Sequence, residues 1–136
     1  MGLDLAGAPD VAEREEQGVT VTLIDDTGEA MMEGGLPVTM TVVGTYSKTY
    51  RTAKAATERK FQKTIRRQGH VDSDEWLIDI YRKCVTGWVG VLKQGAPLPC
   101  TPDTVALVLT AYPGVLRQVH EAVEDHASFF KTASGS

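Results

Sequence analysis

The sequence predicts an α+β domain, a small N-terminal antiparallel β-sheet (hairpin) followed by about four α-helices, on three observations. Val19-Thr20-Val21-Thr22-Leu23 and Val38-Thr39-Met40-Thr41-Val42 alternate apolar and polar residues, the period of a half-buried strand. After Gly44 the apolar residues recur at helical spacing for most of the remaining chain. The length, 136 residues, supports one domain with a modest core.

The elements follow in order. Residues 1–17 are rich in Ala, Gly, Asp and Glu and read as a flexible acidic arm, with a helical turn at residues 11–16. Residues 18–131 form the domain, and 132–136 are a frayed end. Asp25-Asp26-Thr27-Gly28 carries turn chemistry, short carboxylates and a glycine. Gly34-Gly35 break the chain again, and Pro37 stands where a strand start tolerates proline. From residues 47 to 68 one helical stripe carries Tyr50, Phe61 and Ile65, with Arg59, Lys60, Lys63, Arg66 and Arg67 opposite.

Gly69-His70 stops that helix, and Asp72 with Glu75 forms a capping box for the next. Trp76, Leu77, Ile80, Tyr81, Cys84, Val85, Trp88 and Leu92 then predict a second long helix, weakened by Gly87 and Gly90, roughly 1 kcal/mol each. Residues 94–99 are a proline-containing connection. Thr101 and Pro102 start a short helix as N-cap and first residue. It ends before Tyr112-Pro113, and a last helix turns Val115, Leu116, Val119, Val123 and Ala127 inward. No internal repeat stands out. A two-stranded hairpin alone is marginal in water, so the sheet packs on the helices or is extended by another subunit.

Composition and motifs exclude most chemistry. Cys84 and Cys100 form no CxxC unit, so zinc and thioredoxin-type redox roles are not indicated; two free thiols fit best, a single disulfide being the alternative. No apolar run reaches the ~20 residues that span a bilayer, and the N-terminus lacks a secretory pattern. His120 and Glu124 are one helical turn apart, which reads as a surface ion pair rather than a metal site. His70 and His126 are lone histidines with no assigned role. Asp25-Asp26 lacks the alternating acids of a calcium loop, and Gly34-Gly35 opens no phosphate-binding helix. The sequence therefore predicts a protein that is not an enzyme, with no catalytic residue, metal or cofactor.

Charge is unevenly placed. Lys48, Arg51, Lys54, Arg59, Lys60, Lys63, Arg66 and Arg67 face one carboxylate, Glu58, so eight minus one makes this segment about +7. The formal total of −4 leaves about −11 elsewhere. A solvated helix face is the plain reading of this stripe. The sharper reading is electrostatic contact by Arg59, Lys63, Arg66 and Arg67 with an acidic surface, such as another copy's N-terminal arm. Nucleic acid is disfavoured by the acidic pI near 5.3.

Several short motifs resemble, in order and spacing, a family of phage tail assembly chaperones. They are Gly44-Thr45-Tyr46-Ser47-Lys48-Thr49-Tyr50-Arg51, Cys84-Val85-Thr86-Gly87-Trp88, Gly95-Ala96-Pro97-Leu98-Pro99, residues 101–109, Gln118-Val119, and Asp125-His126-Ala127-Ser128-Phe129. The likeness spans residues 19–130. It departs at Cys100, where an aromatic is common, at Thr104-Val105, where asparagine is frequent, and at Ser128, which replaces an asparagine.

The resemblance implies a protein of viral morphogenesis that binds the tape measure protein, keeps it soluble and helps recruit tail tube subunits. It would work by protein–protein interaction in the host cytoplasm and stay out of the mature virion, with no nucleic acid or membrane partner. Two rivals of other classes stand beside it: a structural tail-completion or head-tail protein of the virion, or a small nucleic-acid-binding regulator. Self-association as an oligomer also fits. Trp88, Phe129 and Phe130 are the predicted apolar contacts with the partner, Phe129 and Phe130 because they lie near the C-terminus.

Overall fold

The computed structural model describes residues 10–133, without the side chains of 130–133. The architecture is mixed α+β, as the sequence predicts. Its elements are α1 (Val11–Gln17), β1 (Val19–Thr22), β2 (Met32–Glu33), β3 (Leu36–Pro37), β4 (Thr39–Val42), α2 (Lys48–Gln68) and α3 (Ser73–Tyr81). They continue with β5 (Val85–Val89), β6 (Leu92–Lys93), β7 (Ala96–Pro97), α4 (Pro102–Ala111), α5 (Pro113–Glu124) and α6 (His126–Ala133).

The main sheet has three antiparallel strands in the order β1-β4-β5. Val19 pairs with Val42 and Met40 with Trp88, which turns Met40 and Val42 of the central strand into the core with no exposed surface. The third strand is a correction. Residues 85–89 were expected to continue a long helix, but α3 ends at Tyr81 and a turn through Cys84 delivers them to β4. Two forces favour the strand. Val85, Thr86 and Val89 are β-branched and Gly87 and Gly90 are poor helix formers. Pairing also covers an edge of β4 that a two-strand hairpin would leave open. The chain itself, not another subunit, extends the sheet.

Three further expectations are revised. Residues 11–17 of the predicted arm are a docked helix, α1, capped by Asp10 and carrying the buried Glu15; residues before Asp10 lie outside the described set. On α2, Ala53, Thr57 and Phe61 face inward, while Ile65 is exposed. The last helix is two, α5 and α6, broken at Asp125, and the helical backbone passes Lys131 to Ala133. Residues 134–136 of the predicted frayed end lie outside the described set.

Both N-caps read from sequence, Asp72 and Thr101, are in place, but the reciprocal box forms at Thr101 rather than at Asp72, where the sequence predicts it. Thr101 accepts from the Thr104 amide and Thr104 returns a bond to the Thr101 amide. Asp72 accepts from the Glu75 amide at 3.1 Å.

Asp79 ties α3 to α2, accepting from Thr57 Oγ1 at 2.6 Å and Lys60 Nζ at 2.8 Å. Desolvation pushes its carboxyl up, but hydrogen bonds from Lys60 and Thr57 and the charges of Lys60 and Arg82 outweigh it and hold it below the usual range. A depressed carboxyl stabilises the fold above the unfolded pKa, and that stabilisation fades as pH falls through the folded value. Asp79→Asn should therefore lower stability at pH 7 by about 1 kcal/mol. In denaturant melts the gap to wild type should close below about pH 3.9; a gap independent of pH would show that charge is not its source.

Candidate functional site

Two short hairpins leave the same end of the main sheet. Met32-Glu33-Gly34-Gly35-Leu36-Pro37 and Leu92-Lys93-Gln94-Gly95-Ala96-Pro97 share one register, Met32 opposite Pro37 and Leu92 opposite Pro97. Both turns hold positive φ at the two central residues, 59° and 81° at Gly34-Gly35 and 53° and 81° at Gln94-Gly95, the type I′ geometry that matches strand twist. Each is closed by an equivalent bond, Val38 N to Met31 O at 2.8 Å and Leu98 N to Val91 O at 2.9 Å. This local repeat corrects the reading that none exists, and it makes the predicted connection at 94–99 a hairpin.

The hairpin bases and the α4–α5 junction enclose an apolar cleft of about 220 Å³, lined by Leu23, Met31, Val38, Met40, Gly90, Val91, Leu92, Val108, Tyr112 and Val115. A second hollow of about 360 Å³ adjoins it, sharing Met31, Tyr112 and Val115 and reaching Ile24 and Gln118. Gln118 fixes this wall: its side chain accepts from the Ile24 amide at 2.7 Å and donates to the Ile24 carbonyl at 2.9 Å. Tyr112 stands 60% exposed between the two hollows, with Ile24, Met32, Leu36 and Leu92 also open to solvent.

The groove has the chemistry of an apolar receptor. Of its two methionines, Met40 is fixed in the core, while the partly exposed Met31 can re-pack around differently shaped side chains, and burying one large aliphatic group there contributes on the order of 1.5–3 kcal/mol.

The predicted contact residues are differently placed. Trp88 is half-buried on β5, and its indole N–H donates to the Leu98 carbonyl at 2.7 Å; it braces the second hairpin. Phe129 is 2% exposed and belongs to the core, so its expected role as an accessible contact is corrected: helix α6 folds back and buries it. The side chain of Phe130 lies outside the described residues. Arg59, Lys63, Arg66 and Arg67 are all exposed on α2, away from the cleft lining.

The histidines also differ from expectation. His126 is no lone group: its Nδ1 bonds the buried carboxylate of Glu15 at 2.5 Å, and Tyr46 stacks on its ring with centroids 4.4 Å apart. His120 lies 3.9 Å from Glu124, but its Nδ1 also meets the hydroxyl of the buried Tyr81 at 2.5 Å. With Glu15 and Glu16 occupied inside the domain, Glu16 bonding the Thr49 amide and hydroxyl, they are not free to meet a second copy's basic stripe.

Both cysteines are free thiols, and burial pushes Cys84 up to about 12, far from a reactive thiolate. Asp25 accepts from Thr27 and Glu29 amides in a turn. Among the described residues no cluster of three His, Cys, Asp or Glu side chains has metal-ligand geometry, and no helix is long and apolar enough to cross a membrane.

The twin hairpins carried a readable signal, Gly-Gly and Gln-Gly each two residues before a proline. Compared with protein-family models, curated proteins and solved structures, the chain matches none.

Proposed function

We propose that this protein is a phage tail assembly chaperone that holds an apolar helical stretch of the tape measure protein in the cleft between its hairpins and the α4–α5 junction. It keeps that polypeptide soluble and helps recruit tail tube subunits, by binding alone and without catalysis. It acts in the host cytoplasm and leaves before the virion is complete.

One observation carries the reading. Four of the six family-like segments stand beside the apolar cleft and the hollow that adjoins it, while residues 44–51 and 125–129 pack elsewhere, against α1: Gly95-Ala96-Pro97-Leu98-Pro99 belongs to the second hairpin, Trp88 braces it, α4 supplies Val108 to the lining, and Gln118 fixes the wall of the adjoining hollow. An amphipathic helix laid there would bury one apolar residue per turn.

The test is co-expression with tape measure fragments. Wild type should keep at least one fragment soluble, and Leu92→Asp with Tyr112→Asp should abolish this while the circular dichroism melt is unchanged. If wild type protects no fragment, the chaperone reading fails. If the double variant protects as well as wild type, the cleft is not the site. Finding the chain in purified particles would favour a structural virion protein instead.

A further inference from the structure

A different surface has residues that the fold itself does not require. Along α2, positions 48, 51, 55, 59, 62 and 66 recur at steps of three and four, the spacing of a helix-packing seam. In this seam they are Lys48, Arg51, Ala55, Arg59, Gln62 and Arg66, and they face solvent. Their outer flank is an open trough of about 580 Å³ that runs between α2 and α3, with Trp76 and the exposed Ile65 as its apolar part. A second hollow shares Ala55 and Arg59 and carries the surface back to Lys48. From Lys48 to Arg66 the seam is about 27 Å long at 1.5 Å per residue, room for five turns of a partner helix.

Helix stability does not account for this charge. Arg66 and Arg67 sit in the last turn, where cations suit the helix dipole. Arg51 and Arg59 do not, and the first turn contains no acid of its own. Among the described residues, only Lys60 of this helix makes a salt bridge, to Asp79. Arg59, Lys63, Arg66 and Arg67 are therefore exposed cations with no salt bridge among the described residues.

We propose that the α2–α3 face is a second docking surface, which takes an acidic amphipathic helix of a partner protein. Carboxylates of that helix meet Arg51, Arg59 and Arg66, and its apolar residues lie against Ile65 and Trp76. A nucleic acid fits less well. The apolar part of the trough, Ile65 and Trp76, matches the apolar side of an amphipathic helix, whereas a duplex would bring charged phosphates against it. The surface shares no residue with the apolar cleft, so the two readings stand or fall separately.

The experiment uses the full chain and a labelled synthetic helix of about five turns, with leucine at the a and d positions and glutamate at e and g. Its lysine counterpart and a duplex DNA of similar length are the comparisons. Fluorescence anisotropy at about 50 mM salt should show saturable binding of the glutamate helix. Raising salt to about 0.5 M, or introducing Arg59→Glu with Arg66→Glu, should weaken it about tenfold or more. Lys93→Glu, on the second hairpin, should leave it unchanged. Arg59→Gln with Arg66→Gln carries the comparison if charge reversal disturbs folding. The proposal is overturned if the glutamate helix does not bind, if the arginine variants bind it as wild type does, or if the lysine helix or the DNA binds as tightly.

Discussion

Phe129→Ala should destabilise the domain by about 3–5 kcal/mol, the usual consequence of emptying a buried phenylalanine site. Phe129 is 2% exposed and joins the core cluster that includes Val19, Val123 and Met40. Together with His126, which bonds Glu15, it holds α6 to the body of the domain, where the helix packs against α1 and β1. Domains of this size have total stabilities of about 5–15 kcal/mol, so the loss is a large share. Thermal melts should fall by roughly 3–5 °C per kcal/mol lost.

Phe129→Leu, which keeps most of the volume, should cost about 1 kcal/mol. Tyr112→Asp is the contrast: a side chain 60% exposed should leave the melt in place while removing the apolar contact. A Phe129→Ala protein that melts like wild type would show that α6 is not part of the cooperative core.

Gly44→Ala should be nearly as damaging, through a different cause. A methyl group at Gly44 would stand 2.1 Å from Glu15 Oε1, 2.6 Å from its Cδ and 2.9 Å from its Cβ. These atoms cannot simply move aside. Glu15 is 1% exposed; its carboxylate accepts from the Tyr46 amide at 2.9 Å and bonds His126 at 2.5 Å, and its own carbonyl accepts from the Gly44 amide at 3.0 Å. The substitution must break that network or push α1 off the sheet, at a cost of about 2–4 kcal/mol.

Glu15→Ala alone should cost about 3 kcal/mol, because it strands the Tyr46 amide and the histidine. The double variant should lose less than the sum of the two, since truncation removes the two closest obstructing atoms. Strict additivity in a double-mutant cycle would mean that Gly44 is not packed on Glu15.

The sequence alone sufficed where the physics is local. Alternation in residues 19–23 and 38–42 is a property of neighbouring side chains, and β1 and β4 lie there. Asp72 and Thr101 cap helices because a short polar side chain reaches the free amides of the next turn wherever it stands. The cationic stripe of α2 was also plain, as charge needs no partner to be read.

Tertiary structure decided the rest. Trp76 to Leu92 fits a helical period on paper, yet residues 85–89 are a strand because β4 has an unpaired edge that only a distant segment can fill. Glu15 looked like one acid in a solvated arm; its burial depends on a glycine at 44 and a histidine at 126, neither of which is its neighbour in the chain. Phe129 looked available for the same reason, since a terminal position says nothing about whether the last helix folds back. The apolar cleft joins residues from 23 to 115, and no window of sequence contains it: contacts that far apart are chosen by what the assembled core leaves uncovered, not by local propensity.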